Sequence, residues 1–147
     1  MEKIASFQVD HTKIVPGMYI SRIDGDVTTY DLRFCYPNKE VLDGASMHTI
    51  EHLFATFVRN STLDVIYFGP MGCKTGFYLL IRNANHKTVE EEIKAVLDKI
   101  ISYDAEIFGS TEIECGNFRY HNLEGAREAA GKFRRVMEKP AMLYYPE

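Results

Sequence analysis

His48-Thr49-Ile50-Glu51-His52, an H-x-x-E-H run, decides how this chain is read, because it sets two imidazoles and a carboxylate side by side. An α-helix advances about 100° per residue, so relative to His48 the side chain of Glu51 falls at roughly −60°, His52 at roughly +40° and Arg59 at roughly +20°. All of this chemistry shares one face. Ile50, Leu53, Phe54, Phe57 and Val58 occupy the opposite side, the apolar stripe that a core-facing helix buries. The spacing therefore predicts an amphipathic helix from Ser46 to Asn60, with Ser46 as its N-cap. Neutral imidazoles at i and i+4 converge on one divalent ion, and a carboxylate beside them serves proton transfer at a polarised substrate. The same run also fits a solvated polar face, and H-x-x-E-H is the helix of one class of zinc peptidase.

The surrounding composition narrows the reading. With 147 residues, 46% of them hydrophobic, the chain has the size of one ordinary domain, and residues 1–147 are read as a single unit. It has no run of about 18 apolar residues, and Met1 to Ser6 lacks the apolar stretch of a signal peptide, so a soluble cytoplasmic protein is expected, with no membrane partner. Lys and Arg total 17 against 21 Asp and Glu, and no basic cluster exceeds Arg134-Arg135, which argues against nucleic acid as a partner. The three cysteines, Cys35, Cys73 and Cys115, are an odd number without a C-x-x-C pair, pointing to thiol chemistry or metal binding and not to a disulfide framework.

Working outward from the helix, Val27 to Cys35 alternates as a half-buried strand, with Tyr30, Leu32 and Phe34 on one side and Asp31, Arg33 and Cys35 on the other. Leu63 to Phe68 and Phe77 to Arg82 are two more strands, joined through Gly69-Pro70-Met71-Gly72-Cys73-Lys74-Thr75-Gly76, whose glycines permit unusual backbone angles and close approaches. Thr88-Val89-Glu90-Glu91 has the pattern of a capping box, and Ile93, Val96, Leu97, Ile100 and Ile101 follow at helical spacing. Glu106 to Glu114 reads as a strand, and Leu123 to Met137 as a third helix halted before Pro140. The sum is an α+β fold with a mainly antiparallel sheet and helices packed on it. Spacing alone leaves the third metal ligand open among Cys35, Cys73, Cys115, His11, His86 and His121.

These local patterns follow one another in an order that resembles the LuxS family of S-ribosylhomocysteine lyases. The resemblance rests on Ser6-Phe7 with Asp10-His11, Arg33-Phe34-Cys35 with Pro37-Asn38, the H-x-x-E-H run, Pro70-Met71-Gly72-Cys73-Lys74-Thr75-Gly76-Phe77-Tyr78, Cys115-Gly116, and His121-Asn122-Leu123-Glu124-Gly125-Ala126. It implies a homodimer with sites at the interface that cleaves S-ribosylhomocysteine to homocysteine and 4,5-dihydroxy-2,3-pentanedione, the precursor of autoinducer-2. It also implies one divalent metal per subunit, iron(II) with zinc or cobalt as substitutes, held by His48, His52 and Cys115. Glu51 and Cys73 would be the proton-transfer pair, with Arg33 as the cation near Cys73. Ser6, His11 and Arg33 would line the substrate pocket, and Arg59 would lie near the homocysteine end. The alternatives to this reading are a small metallopeptidase and a non-catalytic metal-binding protein. One departure stands out: where many members have Asp-x-Ser-Pro-Met-Gly-Cys, this chain has Tyr67-Phe68-Gly69-Pro70-Met71-Gly72-Cys73. It leaves the amino group of homocysteine without the family's carboxylate, so altered substrate affinity is expected.

Overall fold

A computed structural model describes residues 1–147. After a single 3-10 turn at Ala5–Gln8, the chain forms β1 (Gly17–Asp24), β2 (Val27–Arg33), α1 (Gly44–Arg59), β3 (Asp64–Pro70), β4 (Gly76–Arg82), α2 (His86–Ile101) and α3 (Leu123–Val136). The four strands make one sheet in the order β1-β2-β4-β3, and every neighbouring pair is antiparallel. The helices pack on one face of that sheet, giving the expected α+β architecture. Tyr30, Leu32, Phe77, Leu79 and Ile81 from the strands meet Ile50, Leu53, Phe54 and Val58 of α1 in one continuous core, joined by Val89, Ile93 and Leu97 of α2 and by Ala126, Ala130 and Phe133 of α3.

Each helix starts earlier than, or is capped differently from, what a Ser/Thr cap would give. The carboxylate of Asp43 caps α1, accepting from the Ser46 amide at 2.9 Å and from its hydroxyl at 2.5 Å, so Ser46 is a buried first-turn residue and not the cap. Asn85 caps α2 by accepting from the Thr88 amide, which moves the start ahead of the Thr88 capping box. Asn122 caps α3 at the Gly125 amide. In all three an Asp or Asn side chain satisfies an amide that the helix itself leaves unpaired.

Two strand expectations change. Glu106 to Glu114 is not a strand: it folds as consecutive turns, with Ser110 bonded back to Ile107 and Cys115 to Thr111, and Gly109 in a left-handed conformation at φ +70°. Gly109-Ser110 breaks the apolar alternation at its centre, and the Phe108 carbonyl is committed to a side chain of α1. Strand β2 is buried on both faces and not on one. Asp31 and Arg33, opposite the aromatic side, are 0% and 3% exposed, because the C-terminal segment folds over them. That segment pairs its Leu143 with the edge of β1 through bonds from Ile20 N to Leu143 O and from Leu143 N to Met18 O.

The β3–β4 connection needs its glycines for approach more than for backbone angle. Lys74, not a glycine, takes the left-handed conformation there, at φ +63°. A Cβ on Gly76 would collide with the Leu32 carbonyl of β2, and one on Gly69 with the Tyr67 hydroxyl. The second collision joins the two departures of the Tyr67-Phe68-Gly69 stretch into one change, since the tyrosine ring lies where a serine at 69 would project.

Candidate metal centre and the loop cysteine

Helix α1 carries His48 and His52 one turn apart on its partly exposed face, as the wheel requires, and the turns after α2 bring Cys115 to them. Cys115 Sγ lies 3.4 Å from His48 Nε2 and 3.8 Å from His52 Nε2. Ligand bonds of roughly 2.0 Å to nitrogen and 2.3 Å to sulfur, arranged tetrahedrally, leave N···S edges of about 3.5 Å, so the donor set fits one ion. Both rings are held in the tautomer that ligation needs. His48 Nδ1 sits 2.6 Å from the Tyr120 carbonyl and His52 Nδ1 2.7 Å from the Phe108 carbonyl. A carbonyl oxygen only accepts, so each Nδ1 carries the proton and each Nε2 presents a lone pair.

His121 joins the cluster, with its donor atom and those of His48, His52 and Cys115 all within 4.8 Å of one another. Its ring is stacked on that of His48, 4.1 Å between centroids and 13° from parallel. Lone pairs lie in the ring plane, so two parallel rings stacked this way do not converge on one ion, and His121 stands beside the donor set. Its Nδ1 is 2.9 Å from Thr49 Oγ1. Thr49 gives its own proton to the Ala45 carbonyl and accepts from the Asn122 amide, so His121 Nδ1 is the donor in that contact. Nε2 of His121 is then a buried acceptor without a partner. Burial first, then the neighbouring His48 and His52, pull His121 down to about 4.

The other candidate ligands go elsewhere. His11 Nδ1 bonds the Val9 carbonyl, His86 Nδ1 the Tyr30 hydroxyl, and Cys35 is 5% exposed with burial pushing its thiol up to about 11. Glu51 stays with the cluster: a groove of about 370 Å³ beside it is lined by Met47, His48, Glu51, Pro70, Lys74, Asn117 and Tyr120. Lys74 reaches this groove, and its neighbour Cys73 does not.

Cys73 belongs to a second polar group on the other side of the loop. Its Sγ lies 3.0 Å from Thr75 Oγ1, which accepts from Arg33 Nη1 at 2.9 Å. Arg33 forks onto Asp31 through Nε and Nη2, at 3.1 and 2.6 Å. Burial works against the guanidinium charge, and the Asp31 contact more than offsets it, so Arg33 stands above its ordinary value. Ser6, half-buried in the N-terminal turn, lies beside the Tyr78 hydroxyl near this group. Arg59 lies apart from both, at the end of α1, donating to the Val65 carbonyl at 2.6 Å and lining a cleft of about 350 Å³ with Tyr67. A larger apolar cleft of about 670 Å³, between β1 and the end of α3, contains none of the candidate catalytic, substrate-binding or metal-binding residues.

A sequence model of the S-ribosylhomocysteinase (LuxS) family matches residues 4–141. The chain belongs to the LuxS family. Among its LuxS relatives, the S-ribosylhomocysteine lyase of Desulfotalea psychrophila is 48% identical, with 99% of each chain covered. That of Finegoldia magna is 44% identical over the whole of both chains, and that of Borrelia garinii subsp. bavariensis 41% identical over 99% of this chain and all of the relative. No helix is long and apolar enough to cross a membrane.

Several residues that shape these two polar groups have no signal of their own in the sequence. The carbonyls of Tyr120 and Phe108 act through backbone and are invisible to any residue pattern. Asp31 was legible only as the i−2 neighbour of Arg33 on one strand face, and Thr75 only as part of the loop motif.

Proposed function

We propose that this chain is an S-ribosylhomocysteine lyase, acting as a single catalytic domain over residues 1–147. The observation that carries the reading is the convergence of His48 Nε2, His52 Nε2 and Cys115 Sγ beside a groove that Glu51 lines. His48, His52 and Cys115 would hold one divalent ion, iron(II) by resemblance to the family with zinc or cobalt as substitutes, and imidazole and thiolate donors accept all three. An ion held there would supply Lewis-acid polarisation of the substrate carbonyl, making the neighbouring proton easier to remove.

The residues of the chain do the proton work. The substrate aldehyde at C1 is too far from the thioether for elimination, so the carbonyl must first migrate. Glu51 and Cys73, as base and acid exchanging roles, move a proton from C2 to C1 and then from C3 to C2, placing the ketone at C3. One of them then takes the C4 proton, the C4–C5 double bond forms as the C5–S bond breaks, and homocysteine leaves as its thiolate; the enol left behind moves its hydroxyl proton to C5 to give 4,5-dihydroxy-2,3-pentanedione, from which autoinducer-2 derives. Placed groups of this kind contribute on the order of a hundred- to ten-thousand-fold each. Ser6 and His11 line the sugar, Arg33 stands buried behind Cys73, and Arg59 meets the homocysteine carboxylate in the cleft it shares with Tyr67. The peptidase alternative leaves the Cys73, Thr75 and Arg33 contacts without a task.

A homodimer with the sites at its interface belongs to the same proposal, as does a cytoplasmic location. Its support is that Cys73, Ser6 and Arg33 do not line the groove beside Glu51, and a second copy would let one group face the other. The assignment is tested by incubating anaerobically prepared, metal-loaded protein with S-ribosylhomocysteine and following free thiol. Stoichiometric homocysteine is expected, and no release of thiol removes the lyase reading.

A further inference from the structure

The end of the chain reaches the loop cysteine through a continuous series of hydrogen bonds. Tyr145 donates its hydroxyl to Asp31 Oδ2 at 2.7 Å, and its ring stacks on Tyr19, 4.9 Å between centroids and 21° from parallel. Two backbone anchors deliver it there: the Leu143 pairing with β1, and the Ala141 amide, which donates at 2.8 Å to the buried carboxylate of Glu90 on α2. From Asp31 the series runs through the forked Arg33 to Thr75. A guanidinium has no lone pair to offer, so Thr75 Oγ1 is the acceptor there and its single proton is left for the sulfur 3.0 Å away.

We propose that Tyr145 is a positioning residue for Cys73, acting through Asp31, Arg33 and Thr75 to favour the thiolate. This deepens the reading of Cys73 as the proton-transfer thiol and rests on it. The physical logic is a balance of charges: Asp31, Arg33 and Thr75 are buried, and the series ends on the exposed Cys73. Arg33 favours a negative sulfur and Asp31 opposes it; a hydroxyl donating to Asp31 offsets part of the carboxylate charge and leaves more of the guanidinium field for Thr75 and Cys73. The other groups facing this site do not carry charge near neutral pH. Burial raises Tyr78 on β4, burial and Asp31 raise Tyr145, and burial raises Cys35. The salt-bridged Glu40 and Lys132 lie on the Cys35 side of the loop and the exposed Lys74 reaches the groove beside Glu51, so Asp31 and Arg33 are the charges joined to the sulfur by hydrogen bonds.

The test is the pH dependence of iodoacetamide alkylation at Cys73, read by peptide mass spectrometry on metal-loaded protein, with kcat and KM measured in parallel. Tyr145→Phe keeps the ring on Tyr19 and removes only the donor. Its alkylation midpoint should move to higher pH, slowing the reaction at neutral pH by about three- to tenfold, with kcat falling alongside and KM held. Thr75→Val, which removes the direct contact, should slow alkylation by about tenfold or more. Tyr144→Phe, at a 75% exposed position, should match the wild type. A Tyr145→Phe profile that superimposes on the wild type overturns the proposal, and so does a lowered melting temperature with unchanged alkylation, which marks a merely structural residue. If no thiol is released from S-ribosylhomocysteine yet the alkylation shift is present, the lyase reading falls and this coupling stands.

Discussion

The metal-binding side and the cysteine side of this fold are built on opposite plans. On α1 the donor atoms face a groove and are aimed by backbone: two carbonyls from irregular turns fix the imidazoles, and a third turn supplies Cys115. Around Cys73 the aiming is done by side chains, with a fully buried carboxylate, a forked guanidinium and a hydroxyl in series, sealed by the chain terminus. Backbone aiming tolerates exposure, because the carbonyls are held by the fold whatever the solvent does. Side-chain aiming requires burial, because a forked ion pair in water is worth little and one with a partner removed in the interior is strongly destabilising. The difference teaches that the two sides should fail separately when mutated.

The largest effect comes from breaking the metal side. His52→Ala removes one donor of the set and should abolish stoichiometric metal in the purified protein, measured by plasma emission, while Cys73 alkylation stays within about twofold of wild type. Parallel loss of Cys73 reactivity would show that the two sides are one unit and that the comparison is false. The converse break is Cys73→Ala. It should keep a full complement of metal and lose turnover by about a hundredfold or more. Persistent turnover would remove Cys73 from the proton-transfer pair.

How much of this could be read in the chain follows from the same contrast. Periodicity locates what repeats within one element, so the i, i+4 pair on α1 and its apolar stripe were legible, as were β2, β3, β4 and the three helices. It does not reach across elements. The residues left the third ligand open; the family resemblance pointed to Cys115, and only the fold shows Cys115 and His121 arriving at the pair while His11, His86, Cys35 and Cys73 go elsewhere. Helix starts were misplaced for a specific reason. Ser46 and Thr88 look like caps, yet each is the residue whose amide is capped by Asp43 or Asn85 three positions earlier. Glu106 to Glu114 alternates like a strand, yet Gly109-Ser110 at its centre turns the chain, with Gly109 in a left-handed conformation. Burial of Asp31 and Arg33 depends on Tyr145, more than a hundred residues away, and no local pattern carries it.

A smaller effect separates the Arg59 cleft from both sides. Gly69→Ser would drive its new side chain into Tyr67, whose ring is 54% exposed and free to swing. Stability should therefore change by no more than about 0.5 kcal/mol. KM should change instead, by about three- to tenfold, because the displaced ring lines the cleft with Arg59. In a Tyr67→Asp background the serine meets no ring and should have no such effect. Equal changes of KM in both backgrounds would show that Tyr67 and Gly69 are independent departures.

The smallest effect probes the point where the two sides touch. Leu42 donates its amide to the Lys74 carbonyl of the cysteine loop at 2.9 Å, and the next residue, Asp43, caps the metal helix. If the sides are separate, removing the cap should loosen α1 without disturbing the loop. Asp43→Ala should lower stability by about 1 kcal/mol and leave Cys73 alkylation unchanged. The pH dependence identifies the interaction. Hydrogen bonds from the Ser46 hydroxyl and amide hold the Asp43 carboxyl below its ordinary value, so the folded state favours the charged form. Its contribution is then fully present above the unfolded carboxyl value, roughly pH 4, and is lost as pH falls through the lower folded value. The stability gap between wild type and Asp43→Ala, from urea titrations at pH 7 and in acid, should shrink as the solution is acidified. Asp43→Asn keeps an acceptor that does not titrate, so its advantage over Asp43→Ala should hold across that range. A gap that stays constant for the wild type would mean that the carboxylate charge contributes nothing to the cap, and that the start of α1 is held by the Leu42–Lys74 contact with the cysteine loop.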